Sequence, residues 1–349
     1  MSKDVFFLGA GFSKAIIPEY PTLYELSKYI EDKFQFEKKS VDKHYRDEVP
    51  HAYKNNIETL LTYLSSSLPF KTDVQIYTDQ ALYKNITEKL ADYFIEQIIS
   101  NSKKLEAVTQ SISPLLNFIR QNNCTCITLN YDLLLENLIS QHCLKSDSRI
   151  ILNYEKFYKM PITPLRDRHS YSRCYNSGDD FLIEELPNII KLHGSINWLY
   201  SGMTPIDPIY CKNFDRNQEE DCLSSDLKTF IVPPVLDKNS QYFNIVLKAL
   251  WRNAYDKLCN AENIYIYGFS FPTTDLSIKF LFQNAIENNP YVKIYVINTK
   301  ASSEKNNKDY IIERYENIFG KNKCNFDYCC ENSLNKFINK ISLNEQPVG

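Results

Sequence analysis

Short apolar runs alternate along this chain with longer segments of helical periodicity. Runs rich in apolar or β-branched residues, bounded by polar or turn residues, predict strands. These runs are Val5–Leu8, Cys126–Leu129, Asn188–Leu192, Phe230–Val232, Ile264–Tyr267, Val292–Ile297 and Asn325–Tyr328. Helical spacing of apolar residues predicts helices over Tyr131–Ile139, Tyr242–Leu258, Thr274–Ile286, Tyr310–Phe319 and Leu334–Ile341. This alternation favours an α/β fold with a mostly parallel sheet and helices on both faces.

The segment between the first two predicted strands is too long for a simple crossover. A strand-helix-strand unit needs about 30 residues, whereas Leu8 and Cys126 are well over three times that distance apart. We therefore expect an inserted helical module over about 23–122. Its predicted helices are Leu23–Phe34, Ile57–Leu64, Asn85–Ile99 and Leu105–Phe118, the last broken at Ser113-Pro114, a pair typical of a helix start. A second irregular stretch, about 201–225, predicts a surface loop or lid.

Glycine is scarce, with eight in 349 residues, yet several follow predicted strands directly. The run Gly9-Ala10-Gly11-Phe12-Ser13 places two at a strand-to-helix turn, where a phosphate can lie against backbone N–H groups and a helix N-terminus. The run lacks the full GxGxxG pattern, and a tight turn without a ligand would also explain it. Gly268, two residues before Ser270, ends a later strand in a similar way.

Polar residues end two other strands. Asn130 and Asp132 follow Thr128, so they are expected at the carboxyl edge of the sheet, where α/β sheets bind ligands. Asn and Asp are also favoured N-cap residues, and capping of the next helix would explain one of the two without a ligand. Asn298 ends a later strand and is placed to reach a ribose, although a turn would account for it as well.

His193 follows the strand-like run 189–192 and precedes Gly194. Imidazole has an unperturbed pKa near 6.5, which suits a proton acceptor at neutral pH. A structural role would fit a histidine at a strand end equally well. The other four histidines stand in polar or helical contexts without comparable neighbours, which favours a chemical role for His193.

Charge and cysteine content narrow the function classes. The net charge is −3 and basic residues are scattered apart from Arg166, Arg168, His169 and Arg173, so no chain-wide nucleic-acid footprint is present. The ten cysteines lack zinc-ribbon CxxC spacing, and no metal is expected. Without a secretory or membrane-spanning run, we expect a cytoplasmic protein with no membrane partner.

Taken as a set, these motifs resemble a known family. GAGFS (9–13), TLNYD (128–132), KLHGS (191–195), YGFS (267–270) and VINT (296–299) occur in the order and approximate spacing of the sirtuin NAD-binding fold. With the helical insertion and its run Asn56–Leu61, the chain is most similar to the sirtuin-like NAD-hydrolase domains of bacterial antiphage defence effectors. The resemblance covers about 3–299 and implies a single Rossmann-like domain over 1–349.

The resemblance also implies roles for individual residues. Gly9, Ala10, Gly11 and Ser13 would hold the pyrophosphate of NAD, and Ser270, with Gly268 before it, would contact phosphate or ribose. Asn130 would position the nicotinamide ribose or the attacking water, and Asp132 would contact the carboxamide. His193 would be the general base, and Asn298 would bind the adenosine ribose.

The activity implied is cleavage of NAD, as substrate, to ADP-ribose and nicotinamide. Because unrestrained cleavage of NAD would harm the host, we expect the activity to be controlled. The control would come from assembly into a homo-oligomer or from a separately encoded sensor or activator protein. An NAD-dependent protein deacylase is the first alternative, but the zinc ribbon is missing and the run 16–20 lacks the Phe-Arg pair of deacylating sirtuins. A non-catalytic NAD or ADP-ribose binding module is the second alternative. Cyclisation in place of hydrolysis, and a ribose-orienting role for His193, both stay open.

Overall fold

A computed structural model of the chain describes residues 3–36, 40–146, 154–159, 162–164, 186–202, 204–212, 227–234, 242–272, 275–299 and 307–344. Its strands are β1 (Asp4–Leu8), β2 (Thr125–Thr128), β3 (Thr163–Pro164), β4 (Asn188–Lys191), β5 (Gly194–Tyr200), β6 (Tyr210–Cys211), β7 (Lys228–Ile231), β8 (Asn263–Tyr267), β9 (Lys293–Asn298) and β10 (Cys324–Cys329). Its helices are α1 (Ala10–Ile16), α2 (Leu23–Phe36), α3 (Ser40–Asp47), α4 (His51–Lys54), α5 (Ile57–Ser65), α6 (Asp73–Ser111), α7 (Ser113–Gln121), α8 (Leu134–Ser146), α9 (Ile245–Cys259), α10 (Leu276–Asn288), α11 (Asn307–Phe319) and α12 (Ser333–Asn344).

Six parallel strands form the main sheet in the order β10-β9-β8-β1-β2-β4. Numbered along the chain within this sheet, the order is 6-5-4-1-2-3, which is that of doubly wound dinucleotide-binding folds. The predicted α/β, Rossmann-like fold class is therefore confirmed. The direction of winding reverses between β1 and β8, and sheets of this kind bind ligands in the crevice at that reversal.

Helices cover both faces of the sheet, as predicted. Consecutive residues of a strand point to opposite faces. In β1 the ring of Phe6 contacts Phe118 of α7 and Phe337 of α12, with centroids 6.2 Å apart in each pair. The next ring, Phe7, contacts Phe282 of α10 at 4.9 Å. Helices α7 and α12 therefore lie on one face and α10 on the other.

The connection from β1 to β2 contains helices α1 to α7. Helices α2, α3, α5 and the first part of α6 bury a second apolar core, which includes Ile30, Phe34, Leu60, Leu82 and Phe94. Helix α7 instead packs on the main sheet, with Leu115, Leu116 and Ile119 in the first core. The insertion therefore consists of α2 to α6, and α7 is the crossover helix of the sheet.

Helix α6 is longer than the sequence pattern predicts. The predicted helices over 85–99 and 105–118 are wrong as separate elements, because α6 runs unbroken over Asp73–Ser111 and ends only before Ser113-Pro114. The polar residues between them stay helical by bonding within the helix: Ser100 Oγ donates to Glu96 O at 2.8 Å, and Asn101 Nδ2 donates to Gln97 O at 3.0 Å. One end of α6 thus lies in the insertion core and the other against the main core.

A second, four-stranded sheet has the order β3-β6-β5-β7. Its strand β5 was not predicted, because only the run before His193 was interpreted as a strand. Gly194 has a φ of +76°, which turns the chain sharply out of the main sheet into β5. Strand β6 lies within the predicted lid of 201–225, whose residues 203 and 213–225 lie outside the described residues, as does the basic group around residues 166–173.

None of the helices in the described ranges has the length and apolar content needed to cross a bilayer.

At the winding reversal, the turn after β1 touches the turn after β8, backbone against backbone. Gly11 N–H donates to Gly268 O at 3.0 Å. A Cβ on Gly268 would lie 2.2 Å from Phe12 N, and a Cβ on Gly11 would lie 2.8 Å from Gly268 Cα. Gly268 also has a φ of +64°, a conformation that side-chain-bearing residues rarely adopt. Glycine is required here because two main chains meet.

We expect Gly268→Ala to lower the free energy of unfolding by about 3 kcal/mol or more, because left-handed strain adds to steric overlap. Gly320→Ala is the matched control: its φ is +91°, but nothing lies within 4 Å of the added Cβ. The control should cost only the backbone strain of about 1–2 kcal/mol. Urea unfolding of both variants measures the difference, and equal losses would show that the turn contact is not tight.

Candidate functional site

A cleft opens at the carboxyl ends of β1, β2 and β8, beside the reversal of the strand order. Its empty space, including the part open to solvent at its mouth, is about 890 Å³. One wall comes from the turns of the main sheet. The opposite wall comes from the helical insertion, which contributes Leu23 and Leu26 of α2, Glu58 of α5 and Phe94 of α6.

Most of the predicted site residues lie in this cleft, although their roles stay predictions. Those that line it are Gly9, Ala10, Ser13, Asn130, Asp132, His193, Gly268 and Ser270. Gly11 and Asn298 are not among the lining residues. Gly11 lies in the turn contact described above, and Asn298 ends β9, on the far side of β8 from β1, where its Oδ1 accepts from Thr299 N at 2.9 Å.

Several backbone N–H groups of the glycine-rich turn are hydrogen-bonded within the protein. Gly9 N–H donates to Tyr267 O at 2.9 Å, and Phe12 N–H donates to Gly9 O at 2.9 Å. With Gly11 N–H on Gly268 O, three N–H groups of this turn already have protein acceptors. Ala10 is exposed at the cleft, between the two glycines. The pyrophosphate role predicted for this turn therefore depends on groups other than those three N–H donors.

Asn130 has a defined orientation in the cleft. Its Nδ2 donates to Gly9 O and to Ser13 Oγ, each at 3.0 Å. A backbone carbonyl can only accept, so the nitrogen of the amide must face Gly9. Both amide hydrogens are then in use, and Oδ1 has no hydrogen bond within the described part of the chain. Asn130 consequently presents an acceptor, its amide oxygen, for a ligand or a water.

Ser13 connects Asn130 to Asp132. Its hydroxyl donates to Asp132 Oδ2 at 2.9 Å and accepts from Asn130. A serine hydroxyl has one hydrogen, so its donor is committed to Asp132. This geometry makes Ser13 an orienting residue for Asn130, and its predicted contact with pyrophosphate stays a prediction.

Asp132 is a buried carboxylate that also holds the start of helix α8. Its Oδ1 accepts from Leu134 N at 2.9 Å, which is the capping interaction that the sequence allowed for one of the two polar residues. Burial raises the pKa of the Asp132 carboxyl above its usual value, and the nearby Lys191 ammonium opposes part of that rise. Because residues 131–133 form this loop, α8 begins at Leu134, three residues after its predicted start.

Two buried charges beneath the cleft were missed at the sequence level. Lys191 ends β4 and Glu136 lies on α8, and each is only 1% exposed. Lys191 Nζ donates to Glu136 Oε1 at 3.2 Å and to the backbone carbonyl of Asp132. Tyr158 Oη donates to the same Glu136 oxygen at 2.9 Å. The sequence did contain a signal for this pair: one charged residue lies in an apolar strand and another in an apolar helix. Charged residues are rarely buried unless they are paired, so the two could have been expected to form an ion pair.

His193 is 5% exposed and follows β4 at the bottom of the cleft. Its backbone carbonyl accepts a hydrogen bond from Val232 N at 2.8 Å. Val232 directly follows β7, so this bond joins the turn before β5 to the end of β7. Trp251 of α9 supports the same turn, since its Nε1 donates to Leu192 O at 3.0 Å and its ring lies 6.4 Å from the imidazole. The backbone position of His193 is thus set from two sides.

Tyr131 joins the insertion to the cleft and was not singled out in the sequence. Its Oη donates to Val232 O at 2.6 Å, and its ring packs edge-on against Phe94 at 5.8 Å. Tyr131 belongs to the second apolar core, together with Leu133. The loop that carries Asn130 and Asp132 is therefore packed against the insertion.

Within the described ranges, no group of three or more His, Cys, Asp or Glu side chains is arranged to hold a metal ion.

Comparison with known proteins gives a distant likeness only. No protein-family model matches the chain, and no curated protein matches its sequence. Among solved structures, a mutant Sir2 homologue in complex with ADP-ribose has 13% identity and a TM-score of 0.41, over 99% of this chain and 95% of that chain. A Sir2 homologue in complex with NAD has 12% identity and a TM-score of 0.43, over 98% and 89%. The Rossmann-like assignment rests on the strand order itself.

We expect Ser13→Ala to lower the free energy of unfolding by about 1–3 kcal/mol, because Asp132 Oδ2 and one amide hydrogen of Asn130 lose a buried partner. Ser100→Ala is the matched control, since that exposed hydroxyl bonds only to carbonyls of its own helix; its change should stay within about 0.5 kcal/mol. Chemical denaturation compares the two. A Ser13→Ala protein as stable as wild type would contradict the proposed orienting role.

Proposed function

We propose that this protein is an NAD hydrolase, which uses water to break the N-glycosidic bond between nicotinamide and ribose. Nicotinamide leaves with the electron pair of that bond, water adds to the ribose carbon, and one proton is released with ADP-ribose. The observation that carries the proposal is the convergence of Asn130 and His193 on one cleft at the reversal of strand order. The resemblance of the motifs to sirtuin-like NAD hydrolases gives the substrate.

In this proposal Asn130 positions the reactants. Departure of nicotinamide leaves positive charge on the ribose, so the site must hold the sugar in a reactive pose and a water on the opposite face. The amide oxygen of Asn130 is the acceptor that Ser13 and Gly9 leave available in the cleft. It can take a hydrogen bond from that water or from a ribose hydroxyl.

His193 moves the proton in this proposal. An imidazole in the cleft accepts a proton from the attacking water, or from a ribose hydroxyl, as the bond to carbon forms. General-base catalysis of this kind contributes about 10²–10⁴-fold in rate. Apolar residues of the insertion, Leu26 and Phe94, form the facing wall and limit access of other water molecules.

We expect His193→Ala to lower kcat for nicotinamide release by about 10²–10⁴-fold, and Asn130→Ala to lower it by at least about 10²-fold, because the reactants lose their alignment. The measurement is chromatography of NAD, nicotinamide and ADP-ribose after incubation. His51→Ala, an exposed histidine of α4, and Asn122→Ala, an exposed residue after α7, are matched controls that should retain full activity.

The same experiment separates the alternatives. Nicotinamide release that requires an added acyl-lysine peptide identifies a deacylase and contradicts hydrolysis. NAD that binds and returns intact identifies a binding module. A cyclic product in place of ADP-ribose shows that a ribose hydroxyl, and not water, attacks the sugar.

We further propose that activity depends on self-assembly or on a separate activating protein, since unrestrained loss of NAD would harm the cell that makes it. Specific activity should then rise with protein concentration, or on addition of the activator. Turnover measured over a hundredfold dilution series, with mass determined by light scattering at each point, tests this. A dilute monomer working at full rate would exclude the idea while leaving the hydrolase proposal intact.

A further inference from the structure

Lys191 and Glu136 are buried charges to which the proposed chemistry gives no role. Neither residue lines the cleft, yet both lie directly beneath the loop that carries Asn130 and Asp132. A buried ion pair is weak support for stability, because desolvation of the two charges offsets most of their attraction. Its contacts therefore call for another explanation.

Hydrogen bonds on either side of Asp132, one to its backbone and one to its side chain, connect Lys191 with the cleft. Lys191 donates to the backbone carbonyl of Asp132. The Asp132 carboxylate accepts from Ser13 Oγ at 2.9 Å, and Ser13 Oγ accepts from Asn130 Nδ2 at 3.0 Å. Each contact has a definite donor and acceptor as long as Asp132 is ionised.

We propose that Lys191 is a positioning residue for Asn130, acting through Asp132 and Ser13. Its ammonium holds the Asp132 backbone in place and keeps the Asp132 side chain in its role as acceptor. A neutral Asp132 carries a hydrogen that it can donate to Ser13. The Ser13 hydroxyl hydrogen would then be released, and the direction of these hydrogen bonds would no longer be unique.

The charges around Asp132 support this assignment. Burial raises the pKa of the Asp132 carboxyl, Lys191 of β4 lowers it, and Glu136 of α8 raises it. The Leu134 N–H and the Ser13 hydroxyl also favour the ionised form. Tyr20, which follows α1, is a further titratable group near Asp132. Burial and both carboxylates raise the pKa of Tyr20 well above the usual range, so it stays neutral. Lys191 is accordingly a cation that favours the Asp132 carboxylate.

We expect removal of the Lys191 charge and removal of the Glu136 charge to shift the pKa of Asp132 in opposite directions. Removal of the Lys191 charge should raise the pKa of Asp132, so the acid limb of the activity profile should move to higher pH. Removal of the Glu136 charge should lower the pKa of Asp132 and move that limb to lower pH. Loss of packing alone would not move the midpoint in opposite directions, so opposite shifts show that both charges act on Asp132. The loss of kcat then shows whether that action reaches Asn130.

The test uses full-length Lys191→Met, Glu136→Gln and the double variant. The double variant removes both members of the ion pair, so neither is left buried without the other, and it is expected to fold even where Lys191→Met does not. The Asp132 carboxyl is followed by 13C NMR across pH and is assigned as the resonance lost in Asp132→Asn. Relative to wild type, its midpoint should be higher in Lys191→Met and lower in Glu136→Gln. In the double variant kcat should fall about 10–100-fold with KM changed far less.

Lys71→Met is the matched control, because Lys71 forms an equally buried pair with Asp79 in the insertion, at 2.8 Å. It should lower stability without moving the Asp132 midpoint. An Asp132 midpoint that does not fall in Glu136→Gln overturns the inference, and so does a double variant whose kcat equals that of the wild type. The kinetic part of this inference rests on the proposed hydrolysis. The NMR titration does not, so a wild-type protein without NAD hydrolysis would refute the proposed function and leave the positioning of Asp132 testable.

Discussion

Direct contact between two backbone turns determines the geometry of the cleft. The turn after β1 and the turn after β8 approach so closely that Gly11 and Gly268 leave no space for a Cβ. This contact sets where helix α1 begins, and α1 carries Ser13. Ser13 in turn orients Asn130, so the position of one amide oxygen depends on two glycines that touch each other. A ligand is not needed to explain the glycines, although they create the cleft in which one would bind.

The second constraint is electrostatic. A carboxylate at the position of Asp132 is costly because it is buried, and its hydrogen bonds to Leu134 and Ser13 recover only part of that cost. Lys191 supplies the positive charge nearby, and Glu136 accepts hydrogen bonds from both Lys191 and Tyr158. Apolar residues of similar size would often be as stable as such a pair. Their presence here is explained by orientation, because a charged acceptor fixes the direction of each donor above it.

The sequence was informative about strands and about strand ends. Apolar runs located the strands of the main sheet within two residues, and their polar ends pointed to one edge, since parallel strands share it. Long-range contacts were not accessible in the same way. Nothing local in Gly268 reveals Gly11 as its neighbour, and the ion pair of Lys191 and Glu136 joins residues 55 positions apart. Strand β5 was missed because its polar Asn197 is buried within a second sheet.

The wall contributed by the insertion links the two apolar cores. Tyr131 and Leu133 belong to the insertion core. The alternate residues of the same loop, Asn130 and Asp132, bond instead to Gly9 and Ser13 after strand β1. A shift of the insertion would therefore pull on the same loop that positions Asn130. Packed cores resist small deformations and change arrangement in discrete steps. A site divided between two cores in this way has a direct physical route by which binding at the insertion surface can alter the position of the Asn130 side chain.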